Sequence, residues 1–261
     1  MRLPLRKLRL DRPVGFTLLE LLVATVLLIM VSGLLLQLLS GTSRMVQQNR
    51  SRFSADTRAQ AVLGLIDQEV QDGIIRSDLA AFPGGRVELY TQRRATGGNR
   101  PVSLVGYHVD ATAGTLQRAA IATSWTPASA SQFSFGDTNA FPLLPAYSST
   151  NGIWREVASG IVALRLKFVG RDGSSSDTQF QFDGTNATAG ILVTVATIDE
   201  RTETRLRDAN MLTDLVQDSL WGATAPANKT LAQHWTAQVQ SNTNQGFTKL
   251  RIAERYVPLP H

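Results

Sequence analysis

The chain has 261 residues, 43% of them hydrophobic, 18% charged and 7% aromatic, which is enough for one large or two small globular domains and excludes disordered, collagenous and coiled-coil classes. The net charge of +5 is unevenly placed: five basic residues (Arg2, Arg6, Lys7, Arg9, Arg12) and one acid (Asp11) fall in the first fifteen positions, leaving 21 positive against 20 negative in the rest. Nucleic-acid binding, which needs a concentrated positive surface, loses its support, and with no cysteine there is no disulfide, thiolate metal site or cysteine nucleophile.

Residues 16–39 read FTLLELLVATVLLIMVSGLLLQLL, an apolar run with a single charge. As a helix it would extend ~36 Å, enough for the ~30 Å hydrocarbon layer of a membrane. A cleaved secretory signal carries a shorter apolar core followed by a small-x-small site, and Ser40-Gly41-Thr42 match that only loosely. Arg44, Arg50, Arg52 and Arg58 follow the span almost as densely as the leader precedes it. Long downstream domains translocate largely regardless of charge, so the expected orientation has the amino terminus inside and the domain outside. Glu20 is the anomaly, because a carboxylate in hydrocarbon costs about 2.5–3.5 kcal/mol on insertion scales. It either snorkels to the headgroups or has a partner.

No proline interrupts 16–82, and apolar residues keep helical spacing beyond the span: Val46, Phe53, Ala59, Val62, Leu63, Ile66, Val70 and Ile74. The expectation is one helix to about Gly73, a transmembrane half (16–39) and an amphipathic half (40–76) that lays one stripe on a domain. Past Pro83-Gly84-Gly85 the period becomes alternating. Strands are expected at 86–91, 103–109, 114–121, 161–169, 178–182 and 191–198, with Val162, Leu164, Leu166 and Phe168 on one face of the fourth and Arg165 and Lys167 pointing to solvent. Residues 122–151 read as a long loop. In 201–246, Leu212, Leu215, Val216 and Leu220 predict a helix over 208–221, and Leu231, Trp235 and Val239 a second over 228–240, together an inserted hairpin. A last strand is expected within 247–257. The fold class is therefore α+β: a long amino-terminal helix packed on an antiparallel sheet, a roll with a helical insertion in a 77–261 domain.

Chemistry is sparse. His108, His234 and His261 sit in no recognisable constellation, and no P-loop, G-x-S-x-G, H-E-x-x-H or G-x-G-x-x-G string occurs, so no catalytic residue and no cofactor are expected. Two loops, DGSSSD at 172–177 and DGTN at 183–186, hold closely spaced oxygens, yet neither supplies the six to eight that a calcium ion takes. Asp172, Asp177 and Asp183 are weak metal candidates in what is also ordinary turn chemistry.

The string Gly15-Phe16-Thr17-Leu18-Leu19-Glu20 behind a basic leader resembles the class III signal of type IV pilins and type II secretion pseudopilins. The stretches AVLGLIDQEVQD, VGYHV and VASGIVALRLKFVGRDG are similar to the J-type minor pseudopilin and, more distantly, the W-type minor pilin; 201–246 departs from that pattern. The resemblance implies a leader, 1–15, removed after Gly15 by a prepilin peptidase, methylation of the new Phe16 amino group, and retention of the apolar helix in the bacterial inner membrane with the domain in the periplasm. It gives Glu20 a partner, the Phe16 ammonium of an adjacent subunit. It implies other pilins or pseudopilins as partners in a filament tip complex that primes type II secretion. A type IV pilus minor pilin serving adhesion, motility or DNA uptake, and a membrane-anchored binding protein that never polymerises, are the alternative readings.

Overall fold

The computed structural model describes residues 17–74, 87–92, 103–122, 153–177, 187–222, 225–226, 229–242 and 249–259. The expected leader, the 178–182 strand and nearly all of the 122–151 loop lie outside them. Helix α1 (Leu18–Gln71) runs unbroken for 54 residues. The chain divides into two compact units, 1–50 and 51–261, and α1 contributes to both.

In the second unit, α1 buries a stripe formed by Ala55, Ala59, Val62, Leu63, Ile66 and Val70. Val46 and Phe53 do not belong to it: they are 47% and 75% exposed. At 100° per residue, Phe53 lies about 200° and Val46 about 180° around the helix from Ala55, so the expected stripe joined residues from opposite faces.

Two antiparallel sheets, rather than the single one expected, enclose the stripe. The first has β1 (Gly73–Ile74), β2 (Val87–Thr91), β3 (Ser103–Asp110), β4 (Thr115–Ala122) and β5 (Arg155–Ser159) in simple sequential order. The second is ordered β7 (Ser175–Ser176), β6 (Ile161–Gly170), β8 (Thr188–Thr197) and β9 (Arg251–Pro258). One residue, Gly160, separates β5 from β6, and its φ of 68° is the turn that sends the chain from one sheet into the other. Leu89, Val105, Tyr107 and Leu116 of the first sheet join Leu164, Leu166, Phe168, Val193, Val195 and Val257 of the second around α1 in one core. Arg255 adds a polar tie from β9, donating to Gln60 Oε1 at 2.8 Å and to Asp67 Oδ2 at 3.3 Å.

The β6 pattern needs two corrections. A register shift between Ile161 and Ala163 puts Val162 on the face away from α1, so Ile161 takes its expected place in the core. That second face is covered, not solvated: Lys167 is only 5% exposed, and Arg165 Nη1 donates to the Trp221 carbonyl at 2.9 Å. The cover is the insertion between β8 and β9. It contains α2 (Glu200–Asp208), α3 (Leu212–Val216), a 3₁₀ turn (Ser219–Gly222) and α4 (Leu231–Ser241). Leu206, Leu212, Leu215, Leu231 and Val239 pack with Val162, Ala163, Ala196 and Ile198, and Trp221 meets Trp235 edge to face at 5.0 Å. The expected 208–221 helix is not one element: Asn210 at φ 54°, a conformation asparagine tolerates and a helix does not, delays its start to Leu212, and the helix stops after Val216, before the 3₁₀ turn at Ser219. The second expected helix begins later than 228, at Leu231, where Thr230 and Gln233 form a reciprocal capping box.

Candidate functional site

Leu18–Ser43 is long and apolar enough to cross a membrane, and none of it is buried within the protein. Its 26 residues rise ~39 Å as a helix and contain one charge, Glu20. Three of its hydroxyl side chains are arranged compatibly with an apolar medium. Thr25 Oγ1 donates to the Leu22 carbonyl at 2.8 Å, Ser40 Oγ to Gln37 at 2.9 Å and Thr42 Oγ1 to Leu38 at 2.9 Å, so these hydroxyls are satisfied inside the helix.

Thr17 caps the amino end. Its Oγ1 accepts from the Glu20 N–H at 3.3 Å, and its carbonyl accepts from the Glu20 and Leu21 N–H groups at 3.1 and 3.2 Å. Glu20 thus stands in the first turn, where the helix dipole favours an anion, with its side chain exposed. An exposed carboxylate there can receive a cation from another chain or from a headgroup. Gly15 and Phe16, the expected processing pair, lie outside the described residues.

Two of the three metal candidates, Asp172 and Asp177, are engaged by neighbouring side chains and backbone. Asp172 Oδ1 accepts from the Ser174 N–H at 2.9 Å and hydroxyl at 2.6 Å, and these bonds hold the Asp172 carboxyl below its usual range. Asp177 pairs with Arg165 at 3.3 Å, and Asp183 lies outside the described residues. No group of three or more histidines, aspartates or glutamates that could hold a metal occurs among the described residues.

A buried electrostatic cluster in the folded unit is one that pattern reading passes over. Glu69, two residues from the end of α1, is 1% exposed. Arg118 donates to its Oε1 from Nε at 2.8 Å and from Nη2 at 2.5 Å, while the Tyr107 hydroxyl donates to Oε2. Tyr107 and Arg118 are directly opposed on β3 and β4, so both side chains leave the sheet toward α1. Burial, then the Glu69 charge, pushes the Tyr107 phenol above the ordinary tyrosine range. Burial works against the charge on Arg118, but Glu69, joined by Tyr107, raises the guanidinium above its usual value. Each oxygen of Glu69 is hydrogen-bonded, so the triad fastens α1 to the first sheet rather than presenting a reactive group. The available signal was positional: Glu69 falls three residues after Ile66, on the buried stripe.

In comparison with known proteins, no family model matches this chain and no curated protein matches it.

Proposed function

We propose that the chain is a minor pseudopilin, synthesised with a basic leader, cut after Gly15, held in the inner membrane by its apolar helix and incorporated near the tip of a periplasmic filament that serves type II secretion. The observation that carries this reading is the Gly15-Phe16-Thr17-Leu18-Leu19-Glu20 string running into a 26-residue apolar helix, Leu18–Ser43, that is not buried. The same helix then continues, without a break, into the core of an α+β unit. Its work is packing and charge rather than bond chemistry. Apolar helices of neighbouring subunits bundle, the exposed Glu20 receives the ammonium of a neighbour's Phe16, and each charge offsets the other's desolvation. The prepilin peptidase and other pseudopilins are its partners.

Mass spectrometry of the mature amino terminus from the native membrane tests the proposal. N-methylated Phe16 as the first residue is the expected result. Recovery of the chain with Met1 and the leader still attached overturns it and leaves a plain membrane anchor.

A further inference from the structure

Within the unit 51–261, the buried stripe of α1 begins at Ala55. Stretches held by few buried contacts open more readily than the core, and alanines at 55 and 59 bury little apolar area. This start of the stripe is held by polar ties as well. Thr197 Oγ1 donates to the Ala55 carbonyl at 3.2 Å, and Arg58 Nη1 donates to Glu203 Oε2 at 3.3 Å.

Glu203 belongs to α2, the first helix of the insertion, and is buried. Its other oxygen, Oε1, accepts from Arg207 Nη2 at 2.9 Å, and the same Nη2 donates to the Ala113 carbonyl at 2.8 Å in the turn between β3 and β4. Asp199 caps α2, accepting from the Thr202 N–H at 3.1 Å and hydroxyl at 2.8 Å, which fixes where Glu203 stands. The Gly160 turn closes around the pair: a Cβ there would lie 2.5 Å from Arg58 Nη1 and 3.2 Å from Glu203 Oε2. One residue of the insertion therefore ties α1 to α2 and, through Arg207, to the first sheet.

We infer that the insertion is a brace for α1: through Glu203 it keeps the first buried turns of the helix, from Ala55 onward, closed on the sheets. A stretch held there only by alanine packing would open first at Ala55, whereas the tie to Glu203 makes that opening break a partly buried ion pair as well.

Amide hydrogen exchange on the full chain in detergent micelles tests the inference with two variants. Arg58→Met removes the tie while Glu203 keeps Arg207, so α2 stays folded; Glu203→Gln weakens both links. Exchange over residues 55–63 is expected to quicken about tenfold in both, the effect of losing one charge-assisted bond, while residues 66–71, β3 and β8 keep their rates. Unchanged exchange over 55–63 in Arg58→Met, or equal acceleration throughout the unit, overturns it. If Glu203→Gln fails to fold, Arg58→Met alone decides.

Discussion

Tyr256 on β9 lies across Gly190 on β8: a Cβ at position 190 would stand 2.5 Å from Tyr256 Cζ and 2.6 Å from its Oη, and that hydroxyl donates to the neighbouring Ala189 carbonyl at 3.1 Å. The ring occupies the space that the absent side chain leaves, a diagonal cross-strand contact at the edge of the second sheet. Gly190→Ala is expected to lower unfolding stability by about 1 kcal/mol, and Tyr256→Ala by a similar amount. In the double variant the two losses overlap, because the methyl no longer meets a ring. Chemical denaturation of the four proteins measures the coupling; strictly additive losses would show that ring and glycine are independent.

The Glu69 triad makes two predictions. Removing the carboxylate with Glu69→Ala leaves Arg118 partly buried and unpaired and is expected to cost about 3 kcal/mol, while Tyr107→Phe, which removes one donor, costs about 1–2 kcal/mol. The second concerns pH. The folded state holds the Tyr107 proton more tightly than the unfolded chain does, so the stability from that proton is intact below the ordinary tyrosine value of about 10 and falls as pH rises above it. Denaturant midpoints taken from about pH 8 to 11 are expected to decline more steeply for wild type than for Tyr107→Phe, which has no phenol to ionise. Parallel profiles would contradict the assignment.

Phe53 and Leu63 lie on the same helix on different faces. Leu63→Ala is expected to destabilise the folded unit by about 2–5 kcal/mol, the usual range for a truncated core leucine. Phe53→Ala is expected to change stability by no more than about 0.5 kcal/mol, since its ring is largely in solvent. Thermal unfolding of both variants in detergent checks the contrast.

Glu20→Ala separates processing from assembly. The substitution lies downstream of the expected cut, so the mature amino terminus is expected to form normally. Loss of the anion should abolish recovery of the chain in a complex with other pseudopilins, read by crosslinking in membranes, and Glu20→Gln should not rescue it because the neutral amide offers no counter-charge. Normal crosslinking in Glu20→Ala would remove Glu20 from the proposed interface.

Much of the fold is legible because α1, β3, β4, β6 and β8 are long elements whose apolar residues recur at helical or alternating spacing over most of their length, and period is what a single chain displays most clearly. The losses occur where a local event interrupts it. The irregularity after Ile161 moved Val162 to the other face, a shift that an alternating run of Ile, Val, Ala and Leu does not announce. Helix α2 has almost no apolar residues in ERTETRLRD and so gives no stripe; its start was written instead in Asp199-Glu200, a capping signal. The covered face of the second sheet was unreadable from β6 alone, because Arg165 looks like a solvent residue until the insertion brings the Trp221 carbonyl to it. At the candidate site, the apolar span and Glu20 are visible in sequence as composition. The burial of Glu69 depends on the β3–β4 register that brings Tyr107 and Arg118 to it, and a register is a property of two strands, not of one segment.

The passage from β5 to β6 takes one residue, and its backbone is engaged on either side: Gly160 O accepts from the Ile198 N–H at 2.9 Å, and the next residue, Ile161, donates to Gly114 O at 3.1 Å. Both sheets also close on one core around α1, so drawing them apart at this joint would expose the side chains they share.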